Sequence, residues 1–180
     1  MSLRERRQER QDQRRGDGGA AHYQMRQKLF SVGDDYWIED DRGGRVYKID
    51  GKALRLRKTL VFQDATGEEL VKIQERTLRV RDTMEIEDRD GHTVATVKKA
   101  LVTPLRDRWS VNVAGGPDLE VTGNIVDHEY TIDDGQKVAE VSKKWFRIAD
   151  TYGVEVGPGQ DPVLILAITV VLDAMAHEDR

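Results

Sequence analysis

The chain has no cysteine, which excludes disulfides, thiolate metal sites, iron–sulfur clusters and cysteine nucleophiles together. It has no excess of basic residues either: 29 Lys and Arg stand against 33 Asp and Glu, for a net charge of −4. That balance argues against general nucleic-acid binding, which needs a basic surface toward the phosphates. Familiar catalytic motifs are missing. There is no Gly-x-Ser-x-Gly elbow, no Gly-rich phosphate loop opening a helix and no His-Glu-x-x-His pair. His22, His92, His128 and His177 each lack a second His at ligand spacing. Asp127-His128-Glu129 reads as a turn, because neighbours along a strand point to opposite faces. The sequence therefore offers no catalytic residue, no metal site and no cofactor.

What remains is enough for one domain. The 180 residues are 38% apolar and 34% charged, and a chain of this length hides roughly 70% of its unfolded surface. Residues 1–21 read as a disordered Arg-rich tail. They carry Arg4, Arg6, Arg7, Arg10, Arg14 and Arg15 against Glu5, Glu9, Asp12 and Asp17, with Leu3 the only sizeable aliphatic after Met1. Too little can be buried there to offset the ordering entropy, and no secretory apolar stretch is present. The tail is a weak basic arm for anionic lipid or RNA, or a solvated run; mixed signs favour the solvated reading. The domain then covers 22–180.

Its far end is greasy. Val163 to His177 reads V-L-I-L-A-I-T-V-V-L-D-A-M-A-H. Asp161 is a good N-cap with Pro162 at the first helical position, and the run is longer than an ordinary strand. Thr169, Asp173 and His177 recur every four residues and form one narrow polar stripe on a helix. A helix so apolar must be enclosed by protein or lipid. Fifteen residues at about 1.5 Å each fall short of a hydrocarbon core of roughly 30 Å, so no transmembrane segment is expected and protein is the enclosure.

Between the ends the pattern alternates with period two, as in Val46-Tyr47-Lys48-Ile49, Leu54-Arg55-Leu56-Arg57 and Leu78-Arg79-Val80-Arg81. That is the mark of half-buried strands. The turns echo at 24 residues: Asp40-x-x-Gly43, Asp64-x-x-Gly67 and Asp88-x-x-Gly91. Ile38, Phe62 and Ile86 stand two before each Asp; Val46, Leu70 and Val94 stand three after each Gly. Asp bonds nearby amides and Gly takes the left-handed conformation, so each is a hairpin turn. Asp133-Asp134-Gly135 makes a fourth. The echo fades after about residue 97, which suggests a meander rather than a solenoid. Roughly twelve strands fit between Tyr23 and Val156. An antiparallel sheet that long must hide its edges, and closing around the C-terminal helix does so.

The stretch Tyr23-Gln24-Met25-Arg26-Gln27-Lys28-Leu29-Phe30, with Asp35-Tyr36-Trp37-Ile38 and Val46-Tyr47-Lys48-Ile49-Asp50-Gly51-Lys52, resembles the opening of the LURP-one-related family. Trp145-Phe146-Arg147-Ile148-Ala149-Asp150-Thr151-Tyr152-Gly153-Val154 and the closing helix resemble its end. The likeness spans about 22–178. It implies the fold shared with tubby C-terminal domains and phospholipid scramblases: mainly β, a closed antiparallel barrel of about twelve strands around a buried C-terminal helix. Tubby domains bind phosphoinositides through basic surface residues, but no such motif aligns here residue by residue. Scramblase relatives are associated with lipid movement and calcium. A calcium loop starting at Ile86 would need an oxygen ligand there and a Glu at Val97, and has neither.

Two basic clusters are the candidate ligand-binding residues. Arg55, Arg57, Arg79 and Arg81 occupy outward alternate positions and could bind phosphate bidentately. Lys143, Lys144 and Arg147 flank Trp145 and Phe146, a grouping suited to a headgroup or an acidic peptide. The bland alternative is a solvated exterior, with Glu75, Glu85 and Glu87 offsetting the first cluster. The expected function is a non-enzymatic, tubby-like binding module for an anionic phospholipid headgroup or a protein partner, cytoplasmic or peripheral at a membrane. Its rivals are a scramblase-like protein with the helix inserted in a bilayer, and a carrier using the barrel interior.

Overall fold

The computed structural model describes residues 19–26, 36–50, 59–75, 83–100, 107–146 and 150–178. Twelve strands follow one another: β1 (Ala21–Arg26), β2 (Tyr36–Asp40), β3 (Arg45–Asp50), β4 (Thr59–Asp64), β5 (Glu69–Glu75) and β6 (Thr83–Glu87) come first. Then come β7 (Thr93–Lys99), β8 (Asp107–Val113), β9 (Leu119–Asn124), β10 (Glu129–Asp133), β11 (Lys137–Ser142) and β12 (Thr151–Val156). Among the described residues one helix, α1 (Pro162–Glu178), follows them. Each strand pairs antiparallel with the next, and β1 pairs with β12 from Ala21↔Val156 to Arg26↔Thr151, which closes the barrel. Closure leaves no strand edge to template aggregation. Leu54–Arg57 and Leu78–Arg81, expected as strands, lie outside the described residues.

The alternation in the sequence sets the two faces. Leu60 and Phe62 of β4, and Ala95 and Val97 of β7, point inward and are all but sealed from solvent. Thr96 and Lys98 between and beyond them face out, as a two-residue period requires. The repeated turns are one device used three times. Gly43, Gly67 and Gly91 have φ of 74°, 87° and 82°, a region that costs glycine nothing and other residues strain. Each glycine N–H donates to the carbonyl of the Asp three before it, at 3.0, 3.0 and 3.1 Å. The same Asp takes two further amides on its Oδ1, such as Arg42 and Gly44 on Asp40 at 3.0 and 2.7 Å. A register shift precedes each turn, between Ile38/Glu39, Phe62/Gln63 and Ile86/Glu87. A fourth lies at Ile132/Asp133.

The 24-residue period runs one step further than the sequence reading allowed. Gly115, 24 after Gly91, also has a left-handed φ of 72°. The capping Asp is replaced there by Asn112, whose side chain instead donates to Asp118 at 2.8 Å. The turn is built differently: its bond runs one residue later, from the Gly116 N–H to the Val113 carbonyl at 3.2 Å, and no register shift precedes it.

Helix α1 begins as expected. The Val163 N–H donates to Asp161 Oδ1 at 2.9 Å, with Pro162 at the first helical position. Ile165, Leu166, Ile168, Val170, Val171 and Leu172 are at most 1% exposed. Burying each such side chain contributes about 1.5–3 kcal/mol. Their gross sum rivals the 5–15 kcal/mol net stability usual for a whole domain, so barrel and helix stabilise each other. Among the described residues no helix is long and apolar enough to cross a membrane.

Strand direction divides the barrel into two rims. The tight turns after β2, β4, β6, β8 and β10, and the start of α1, share one rim. The connections after β1, β3, β5, β7, β9 and β11 leave from the other, toward which α1 runs.

Candidate functional site

At the rim where α1 ends, the β9–β10 connection is tied by its own polar residues. Asn124 Nδ2 donates to Asp127 Oδ2 at 2.7 Å, and the Asp127 N–H returns a bond to Asn124 Oδ1 at 3.0 Å. The turn holds His128 at φ 53°, a left-handed value uncommon outside glycine, and only 3% exposed. Its ring stacks on Tyr152 with centroids 4.1 Å apart. Its Nε2 lies 2.8 Å from Asp173 Oδ1, an ion-pair distance reached off the axis of the ring N–H. Tyr152 donates its hydroxyl to Asp173 Oδ2 at 2.5 Å.

Three tyrosines surround this carboxyl group. Burial first, and Asp173 second, push the phenols of Tyr36, Tyr130 and Tyr152 well above their ordinary range. Tyr36 anchors by a pair of bonds to the Arg26 backbone, accepting from its N–H and donating to its carbonyl at 3.0 Å. Thr169 donates to the Ile165 carbonyl one turn back at 3.0 Å. The stripe of Thr169 and Asp173 is thus a core network, the bland reading of it; the His177 side chain lies outside the described atoms. His, Asp and Tyr could exchange a proton, but they are enclosed by barrel and helix and face each other rather than a substrate. The sequence reading left His128 as a turn residue. Its inward aim comes from the left-handed backbone, which the sequence signals only by two polar residues, Asn124 and Asp127, around a short apolar pair.

Of the candidate ligand-binding residues, Arg55, Arg57, Arg79, Arg81 and Arg147 lie outside the described residues, so the structure does not place them. Lys143 and Lys144 are placed. Glu129 gathers their turn: Ser142 Oγ donates to its carboxylate at 3.0 Å and the Lys143 N–H at 3.1 Å. Lys144 Nζ sits 3.3 Å from the same Glu129 and is otherwise exposed. The aromatic pair rests on glycine. A Cβ on Gly153 would come within 2.6 Å of the Trp145 ring and 2.7 Å of Phe146. Trp145 is 40% exposed, with His22 edge-on at 6.2 Å.

A second aromatic–basic grouping on the outside was missed. Arg45 Cζ and Lys48 Nζ stand 5.2 and 5.9 Å from the centre of the Trp37 ring. The sequence held the clue: the Asp40–Gly43 turn sets a register in which Trp37 faces Lys48 across the β2–β3 pair. On the β6–β7 turn, Asp88, Asp90 and His92 bring donor atoms within 4.8 Å of one another. Amides of His92 and Asp90 hold the Asp88 carboxyl below its usual range.

The architecture defines a class of proteins whose antiparallel wall closes on a core helix. The chain belongs to the LURP-one-related family, whose model matches residues 21–173. It is similar to the uncharacterized protein YxjI of Bacillus subtilis (strain 168), 31% identical over 157 residues, 87% of this chain and 94% of that one. Its fold is similar to the X-ray structure of an Arabidopsis thaliana protein, with a TM-score of 0.65 at 18% identity, covering 88% of this chain and 93% of the other.

Proposed function

We propose that the chain is a non-enzymatic, tubby-like binding module that takes an anionic phospholipid headgroup or a protein partner on the outer surface of its barrel. One observation carries the reading. The helix fills the barrel interior, Leu166 to Ile168 and Val170 to Leu172 being fully buried, so contact with a partner falls to the outside. This also weighs against a carrier that uses the interior. The basic residues assigned to binding are Arg55, Arg57, Arg79, Arg81 and Arg147, together with Lys143 and Lys144 next to the exposed Trp145. An indole with adjacent cations suits a membrane interface, where one end of the ring is apolar and the other wet. The working location is cytoplasmic, peripheral at a membrane.

The test is cosedimentation with phosphatidylinositol bisphosphate vesicles over a salt series. Binding should be strongest at low salt and weaken as the Debye length falls from about 30 Å at 0.01 M to about 3 Å at 1 M. Alanine at the four arginines, or at Lys143, Lys144 and Arg147, should reduce it. No binding at low salt, or binding unchanged in both variants, removes the lipid half of the proposal.

A further inference from the structure

Closure of the barrel decides which side chains share an outer face. Tyr152 and Val154 of β12, Met25 of β1 and Ile38 of β2 are buried inward. Gly153, Gln24, Trp37 and Glu39 therefore stand on the outside, as a two-residue period requires. The register runs Gly153↔Gln24↔Glu39↔Arg45 across four neighbouring strands. At one end of this row the Trp145 ring lies over Gly153. At the other, Trp37 faces Lys48, two residues along β2 from Glu39. Two strand spacings and two residues of rise put the backbone positions under the two indoles roughly 12 Å apart.

Both rings have cations beside them. Arg45 and Lys48 approach the Trp37 ring, and Lys143 and Lys144 immediately precede Trp145. Arg26, exposed at the end of β1, belongs to the strand between. Glu39, Asp50, Glu129 and Glu155 share the strip and leave it without strong net charge; Glu129 and Glu155 lie against Lys144 and His22. The rings are what set this wall apart. The chain has three tryptophans; Trp109 is buried inside, and the other two are here. An outward indole beside Lys or Arg suits a membrane interface, where the ring sits at headgroup level and the cation reaches phosphate.

A peptide fits this wall less well. Strand addition needs a free sheet edge, and β1 and β12 are paired with each other along their length. An amphipathic helix needs an apolar groove, whereas this strip is the outside of a cylinder with Gln24 and Glu39 between the rings.

We infer that the seam from β12 through β1 and β2 to β3 is the membrane-facing wall of the barrel: Trp145 and Trp37 enter the headgroup layer, and Arg45, Lys48, Lys143 and Lys144 take lipid phosphates. The inference rests on the lipid half of the function proposed above. It adds an orientation and a second group of binding residues, Trp37, Arg45 and Lys48.

The test uses the full chain with phosphatidylcholine vesicles containing phosphatidylinositol bisphosphate, with and without bromine on the acyl chains. Cosedimentation reads binding, and quenching of tryptophan by bromine reads which wall faces the lipid. Trp37→Phe leaves Trp145 as the surface reporter, and Trp145→Phe leaves Trp37. Each should be quenched at least about twofold more than the double Phe variant, which keeps only Trp109. At about 10 mM salt, Arg45→Gln/Lys48→Gln should weaken binding at least about fivefold. Lys98→Gln/Arg108→Gln removes equal charge on β7 and β8, across the ring from β1 and β2, and should leave binding unchanged. Cosedimentation with neither surface indole quenched, quenching of one alone, or equal weakening by the two charge pairs would overturn the seam and leave the lipid reading standing. No cosedimentation with any vesicle would overturn both and assign the strip to a protein partner.

Discussion

Tyr152 and Tyr130 are both buried tyrosines near Asp173, yet removal of their hydroxyls should have unequal effects. The Tyr152 hydroxyl donates to Asp173 Oδ2 at 2.5 Å. Tyr152→Phe keeps the ring, its stacking on His128 and the packed volume, and deletes only that donor. A buried acceptor left short of a partner costs about 1–3 kcal/mol. In a folded region of this size each kcal/mol lowers Tm by about 2–4 °C, so a mid-range cost of about 2 kcal/mol gives a fall of roughly 4–8 °C. The Tyr130 hydroxyl is sealed with Thr169 as a polar neighbour, but without a hydrogen bond of good geometry. Tyr130→Phe should therefore lower Tm by less than Tyr152→Phe does, by about 2 °C or less. Thermal unfolding followed by circular dichroism measures both. Asp173→Asn completes the cycle: its effect and that of Tyr152→Phe should be non-additive by about 1 kcal/mol, as for groups in contact. Equal losses in the two Phe variants, or strict additivity with Asp173→Asn, would refute the network as described.

Ile168→Asp would place an unpaired charge where nothing is exposed, at several kcal/mol, and should leave insoluble protein; Ile168→Ala should fold with about 2–5 kcal/mol less stability. A cooperative, soluble Asp variant would remove α1 from the centre. Gly153→Ala should push the rings of Trp145 and Phe146 off β12, at about 1–3 kcal/mol, read as a displaced Trp145 indole resonance; an unmoved indole contradicts the perch. The phenols of Tyr36, Tyr130 and Tyr152 lie above their unfolded value of 10.0. The stability they contribute is complete below about pH 10 and drains as pH rises toward their folded values. Tyrosinate absorbance from these three should appear only with loss of the β signal; smooth titration of every tyrosine with the barrel intact would count against their burial.

Much of the fold was legible because it is written in local chemistry. Asp161 before Pro162 announces the helix start, and each Asp-x-x-Gly sets a turn whose flanking apolar residue must face inward. Gly115 shows the limit: with Asn112 in place of Asp, the glycine keeps its left-handed φ but the turn bond moves to Gly116 and Val113. The candidate site was harder to read. His128 turns inward through one backbone dihedral and meets Asp173 from 45 residues away, a contact that no local pattern encodes. The Trp37–Lys48 pairing was accessible through hairpin register, whereas Arg55, Arg57, Arg79 and Arg81 lie outside the described residues.

Closure through β1 and β12 has a consequence for how the molecule is made. The pair that shuts the wall joins Ala21 to Val156, and the helix that fills the interior follows all twelve strands in the chain. Contacts of such sequence separation form slowly. A nascent chain therefore holds twelve strands with their greasy sides unmatched until α1 has emerged. Over that interval the open wall is exposed to misassembly, the general hazard of apolar faces left waiting for a late partner.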